Sequence, residues 1–141
     1  LKQVDCLIVN EGELNQLHSE FHPIPKPNHC SAKDVEQKAW DIFTLTGQSV
    51  VVTLGANGTL AVHNNTLLTV PALAISPVDT VGAGDAFTGA FTAALDRGET
   101  FPVALRWGNV AGGLACLETG AQSSLPTAAQ ISEHLAALPG A

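Results

Sequence analysis

Charge is scarce in this 141-residue chain. Asp, Glu, Lys and Arg make up 13% of it, and six Lys and Arg face thirteen Asp and Glu, for a formal charge of −7. A surface of that sign repels a nucleic-acid backbone, so a nucleic acid is not an expected partner. Aromatic residues are sparser still, at 5%, and methionine is absent. No apolar run approaches the length of a bilayer-spanning helix and the first residues do not read as a signal peptide, so no membrane partner is expected. Three cysteines, Cys6, Cys30 and Cys116, are odd in number and far apart. That spacing argues against a disulfide framework and for a reducing cytoplasm. The chain also lacks G-x-x-x-x-G-K-[ST], which argues against a P-loop kinase, and no third glycine opens a helix as in a dinucleotide fingerprint.

What remains is 45% hydrophobic and rich in small residues. This suits one compact α/β domain over residues 1–141, long enough to bury about two-thirds of its unfolded surface. Residues 4–9 form a short, nearly continuous apolar run, as in a parallel strand covered on both faces. After Asn10-Glu11-Gly12-Glu13, Leu14, Leu17 and His18 fall in helical register, with Asn10 and Glu13 spaced as a capping box. Pro23, Pro25 and Pro27 rule out regular structure between His18 and Ser31. His18, His22, His29 and Cys30 there match no common zinc spacing. Ser31 then caps a helix that runs towards Gly47, and residues 49–54 are a valine-rich strand. Residues 53–58 read as a glycine turn into a strand over 59–63, and Asn64-Asn65 turns the chain into another over 66–70, a small antiparallel portion. A helix is expected from Asp85 to Leu95, closed by Asp96-Arg97-Gly98, and another from Pro102 to Leu117. Gly108, Gly112 and Gly113 weaken that last helix by about 1 kcal/mol each relative to alanine, so something must approach it closely. The stretch 118–126 is a loop, and a short helix over 128–138 ends the chain. Opening on Leu1 and entering a buried strand almost at once, the sequence reads as a fragment.

The stretch Asp79-Thr80-Val81-Gly82-Ala83-Gly84-Asp85 organises the rest. Its glycines allow a sharp turn and close approach to a ligand, and a glycine loop opening a helix aims N–H groups and the positive dipole end at an anion such as a phosphate. A carboxylate at that place has two readings. Asp85 caps the helix, or it is a base that deprotonates a hydroxyl attacking a phosphoryl group.

Continued through Ala86-Phe87-Thr88-Gly89-Ala90-Phe91, the string resembles the C-terminal signature of the ribokinase/PfkB family of carbohydrate kinases. The resemblance implies a ribokinase-like α/β fold, a mainly parallel sheet with helices on both faces, of which this chain is the C-terminal, nucleotide-binding part. It implies Asp85 as catalytic base, with Asp79 also near the substrate, and an anion hole from the N–H groups of Gly82, Ala83 and Gly84. Asn10 and Glu13 match the family's Asn-x-x-Glu motif, which positions Mg²⁺ and the nucleotide phosphates through water. Thr53, Gly55 and Gly58 would lie along the ATP phosphates and ribose, and Asn109 beside the adenine pocket. The segment 120–126 resembles the family's Gly-Ala-x-x-Ser-x-Pro. It implies a monovalent cation, K⁺, held by Asp79, the carbonyls of Val81, Ala115, Glu118 and Gly120, and the Ser124 hydroxyl. The implied activity is ATP-dependent phosphorylation of a sugar hydroxyl, D-ribose to ribose 5-phosphate. Fructokinase-like and nucleoside kinases share the signature, and a nucleotide-binding module without turnover is the reading from another class. A homodimer of the full-length protein is allowed.

Overall fold

The computed structural model describes residues 4–21 and 31–138. Residues 22–30, which hold the three prolines and His22, His29 and Cys30 of the zinc reading, lie outside the described residues. The chain divides into two compact units, residues 1–54 with 60–69, and residues 55–59 with 70–141.

The first unit carries a four-stranded sheet in the order β1 (Cys6–Asn10), β2 (Ser49–Thr53), β3 (Thr59–His63) and β4 (Thr66–Val70). Strands β1 and β2 pair in parallel, Cys6 opposite Ser49 through Asn10 opposite Thr53. Such pairing requires a crossover, which α1 (Glu11–Phe21) and α2 (Ala32–Thr46) provide. Between β3 and β4 there are only Asn64 and Asn65, with φ of 48° and 58°. Asparagine tolerates that left-handed geometry, so the two-residue hairpin anticipated from Asn-Asn forms. Helix α1 persists to Phe21, past the His18 boundary expected from the prolines. A proline constrains mainly the residue directly before it, so helix remains open to residues 19–21.

Local signals set the helix ends. Ser31 accepts from the Asp34 N–H and Gly47, at φ 73°, donates to the Phe43 carbonyl, as the sequence anticipated. One sheet face presents Val50, Val52, Leu60 and Val62 to Leu14 of α1 and Val35, Ala39 and Ile42 of α2. Val51 and Ala61, pointing the other way, are also fully buried, so neither face of the central strands is open. A polar seam joins the two helices: His18 Nε2 meets Asp41 Oδ2 at 2.9 Å, and Lys38 Nζ donates to Asn15 Oδ1 at 2.7 Å and to Asp34 Oδ2 at 2.5 Å.

The second unit is built on α3 (Ala83–Asp96) packed against α4 (Phe101–Ala115), with α5 (Ala128–His134) and a 3₁₀ turn, Leu135–Ala137, behind them. Phe87 and Phe91 stack at 6.0 Å and Phe101 meets Phe91 edge-on at 5.3 Å. The glycines of α4 are explained by their neighbours. A Cβ at Gly108 would lie 2.7 Å from the Phe87 ring, one at Gly113 2.9 Å from Leu73 Cβ, and one at Gly112 3.2 Å from the Ala83 carbonyl oxygen. The close approach inferred from the sequence is thus of three kinds, and one of them is to the first residue of α3. Arg106 donates to the carbonyls of Leu135 and Leu138 at 2.8 and 3.2 Å and so ties down the end of the chain.

Candidate active site

In the first unit, the carboxyl ends of β1 and β2 lie side by side, where open α/β sheets collect ligand residues. Asn10 and Thr53 are register partners there. Asn10 Oδ1 accepts from the Glu13 N–H at 2.9 Å while Glu13 Oε2 accepts from the Asn10 N–H at 2.8 Å, so the capping box forms as its spacing indicated. This leaves Glu13 exposed, with its second carboxylate oxygen free among the described residues. Thr53 is half-buried and its hydroxyl leans towards the Val9 carbonyl at 3.5 Å.

In the second unit, helix α3 begins two residues earlier than the sequence pattern suggested. Gly82, at φ 83°, is its N-cap and supplies no side-chain bond, so Ala83, Gly84 and Asp85 are the first three helical residues. Asp85 is therefore not the cap. Its carboxylate is exposed, takes no hydrogen bond among the described residues, and stands in the first turn of a helix whose end carries positive partial charge. The Ala83 N–H leans back to the Thr80 carbonyl at 3.3 Å, whereas those of Gly82 and Gly84 meet no acceptor among the described residues. Among the described residues, nothing beyond its own helix and chain neighbours lies within 4 Å of a Cβ built on Gly84, so that side of the helix start is open.

Asp79 does different work. Its Oδ1 accepts from the Val81 N–H at 3.0 Å and its Oδ2 from the Gly120 N–H at 3.3 Å, which joins the signature loop to the 118–124 loop. These bonds, Val81 first and Gly120 next, hold the carboxyl below its ordinary value of 3.8. The N–H groups of Val78 and Asp79 add bonds to the Cys116 carbonyl, and Gly82 abuts Ala121, whose oxygen would lie 3.1 Å from a Cβ there. Ser124, buried, donates to the Gly120 carbonyl. Asp79, Gly120 and Ser124 are thereby brought together, with Val81 bonded to Asp79. One carboxylate, backbone carbonyls and a hydroxyl are hard oxygen donors and fit a hard cation.

Asn109, which the resemblance sets beside the adenine pocket, lies on α4. It is 7% exposed, its Nδ2 donates to the carbonyls of Val70 and Pro71 at 2.9 and 3.2 Å, and its Oδ1 accepts from the Thr59 hydroxyl at 2.5 Å. The sequence carried no sign of Thr59, since threonine in a strand is ordinary. Beside Asp85 a cleft of about 290 Å³ runs along α3, floored by Gly89, Ala90 and Ala93 and walled by Leu125 and Pro126. Arg97, stacked 4.7 Å over the Trp107 ring, closes its far end.

The pfkB family carbohydrate kinase model matches residues 1–128. The chain belongs to the pfkB family of carbohydrate kinases. Among curated pfkB relatives, the ribokinase of Haemophilus influenzae is 34% identical over 99 residues, 70% of this chain and 32% of that protein. The fructokinase of Vibrio alginolyticus is 39% identical over 88 residues, 58% of this chain and 29% of that protein. The crystal structure of Thermotoga maritima ribokinase superposes with a TM-score of 0.84 at 32% identity, covering 96% of this chain and 43% of that one. The fold is thus ribokinase-like. This pfkB chain spans only about a third of those two curated relatives' length.

Proposed function

We propose that this chain is the C-terminal, nucleotide-binding part of an ATP-dependent sugar kinase and contributes its catalytic base. The observation that carries the reading is Asp85, a carboxylate that takes no hydrogen bond among the described residues, in the first turn of a helix where the N–H groups of Gly82 and Gly84 meet no acceptor among those residues. An anion bound by those groups would be a phosphoryl group next to a base. In that role Asp85 accepts the proton of the attacking sugar hydroxyl as its oxygen bonds to the γ-phosphorus. The bond from that phosphorus to the β–γ bridging oxygen breaks, and ADP leaves. Gly82, Ala83 and Gly84 supply N–H donors to the charge that develops on the transferring group.

Asn10, Glu13, Thr53, Gly55 and Gly58 are assigned to the nucleotide, with Asp79 at the substrate edge of the loop. The free oxygen of Glu13 suits Mg²⁺ held through water, which supplies neutralisation of the phosphates when bound. For the monovalent site, the donors are Asp79, Ser124 and the carbonyls of Val81, Ala115, Glu118 and Gly120. Their oxygens fit K⁺, and phosphofructokinase-2 of Escherichia coli, at TM-score 0.75, was crystallised in complex with potassium. Arabidopsis thaliana ribokinase, complexed with ribose and ATP, superposes at 0.79. Ribose is the preferred acceptor because the 120–126 segment follows the ribokinase pattern. Fructose is the second reading, supported by the Vibrio relative. The free thiols of Cys6 and Cys116 agree with the cytoplasm as compartment.

The test is calorimetry with ATP beside a coupled ADP-release assay over pentoses, hexoses and nucleosides. The 141-residue chain should bind ATP weakly and release no ADP with any sugar, because among the described residues Asp85 and Arg97 are the only charged groups that line the cleft, too few contacts to fix a polyol's orientation. Sugar-dependent ADP release by this chain alone would show a complete site, and absence of ATP binding would refute the nucleotide assignment.

A further inference from the structure

We propose that Asn109 is a positioning residue of the nucleotide site, fixing the turn at residues 55–58 through the Thr59 hydroxyl without touching the nucleotide. This rests on the nucleotide reading above and goes beyond it, because it assigns Asn109 to the frame and makes Thr59 its working partner.

The carboxamide of Asn109 is fully committed. Both Nδ2 hydrogens go to main-chain carbonyls of Val70 and Pro71, and Oδ1 receives the Thr59 hydroxyl. A flipped amide would set its oxygen against two carbonyls, so the orientation follows from the partners. Thr59 is 2% exposed and Asn109 7%, which leaves neither a surface to offer a ligand. Residues 58–59, 70–72 and 109 therefore form a closed frame. Its third side is steric: Gly58, at φ 87°, lies so close to residues 70–72 that an added Cβ would be 2.1 Å from the Val70 carbonyl oxygen. The same strip continues along α4, where Gly113 receives Leu73 one turn after Asn109. Between them Gly112 rests against the Ala83 carbonyl at the mouth of the anion loop. One helix thus spaces the 55–58 turn and the phosphate-facing helix start, through residues 109, 112 and 113.

The turn needs such a frame. It contains Gly55 and Gly58, both at positive φ, and glycine has the most backbone freedom to lose on ordering. A turn ordered before the nucleotide arrives spares binding that loss, so releasing the frame weakens affinity without removing a ligand contact.

The experiment measures MgADP binding to the 141-residue chain by calorimetry for wild type, Thr59→Val, Thr59→Ser, Asn109→Leu and the double variant, with circular dichroism melts alongside. Thr59→Val should weaken binding about tenfold, as befits loss of one buried hydrogen bond, and Thr59→Ser, which keeps the hydroxyl, should restore it. The double variant should bind no worse than Asn109→Leu alone, since both changes open the same frame. Thr59→Val binding like wild type below its melting transition, or Thr59→Ser as impaired as Thr59→Val, would overturn the proposal. So would losses that add, which would mean that Asn109 meets the nucleotide itself. If Asn109→Leu does not fold, the Thr59 pair decides alone. A wild-type chain that binds no MgADP would instead refute the nucleotide reading on which the proposal rests.

Discussion

Single residues show how one side-chain type is spent in opposite ways. Asp79 and Asp85 stand six positions apart, yet the first gives both oxygens to backbone N–H groups while the second gives none. Asp79 is an anchor that stabilises in its charged form. Its folded pKa lies below 3.8, so its contribution is present above that value and is lost as pH falls from 3.8 through the depressed one. The difference in melting temperature between wild type and Asp79→Asn should be flat from pH 8 to about 5 and shrink below pH 4. A difference that grows on acidification would contradict the anchor. Gly58 is bound by geometry rather than charge. Gly58→Ala must hold an alanine at φ 87° and drive its methyl into the Val70 carbonyl, and should cost at least about 1–3 kcal/mol in urea unfolding. An unchanged midpoint would show that the 55–59 turn is not held by residues 70–72.

Elements were read from the sequence to different depths. The caps of α2, the capping box of α1 and the Asn-Asn hairpin were legible because each is a short-range pattern whose partners lie within about four residues. The start of α3 was not. A Gly-Asp pair looks like an N-cap, but Gly82 in the left-handed region starts the helix earlier and moves Asp85 inside it. The α4 glycines announced a close approach without naming the neighbours, since Phe87, Leu73 and Ala83 are distant in sequence. They now separate by environment. Gly108→Ala should destabilise by about 1–3 kcal/mol, because a methyl meets the Phe87 ring in a packed core. Gly89→Ala in α3, where among the described residues nothing beyond its own helix and chain neighbours lies within 4 Å of an added Cβ, should stabilise by about 0.5–1 kcal/mol. Equal effects in thermal or urea unfolding would refute the assignment. At the 118–124 loop, the proposed monovalent-cation site predicts turnover that rises with K⁺ at constant ionic strength and responds less to Na⁺. In a full-length kinase carrying this chain, rates indifferent to K⁺, Na⁺ and Li⁺ would remove the cation assignment.

At the scale of the whole molecule, family and fold were legible because the signature from Asp79 to Phe91 is long and the apolar runs mark the elements around it. The frame at Asn109 was hidden because it joins residues 50 and 39 positions apart. Among the described residues no helix is long and apolar enough to cross a membrane. The central claim is that this pfkB chain brings the base of a phosphoryl transfer to an anion-binding helix start. It is tested most directly by Asp85→Asn in a full-length kinase that carries the chain, with MgATP binding by calorimetry and sugar-dependent ADP release measured on the same preparation. The account predicts retained MgATP binding and turnover reduced about 10²–10⁴-fold, the range expected for a lost general base. Turnover near that of wild type would contradict it.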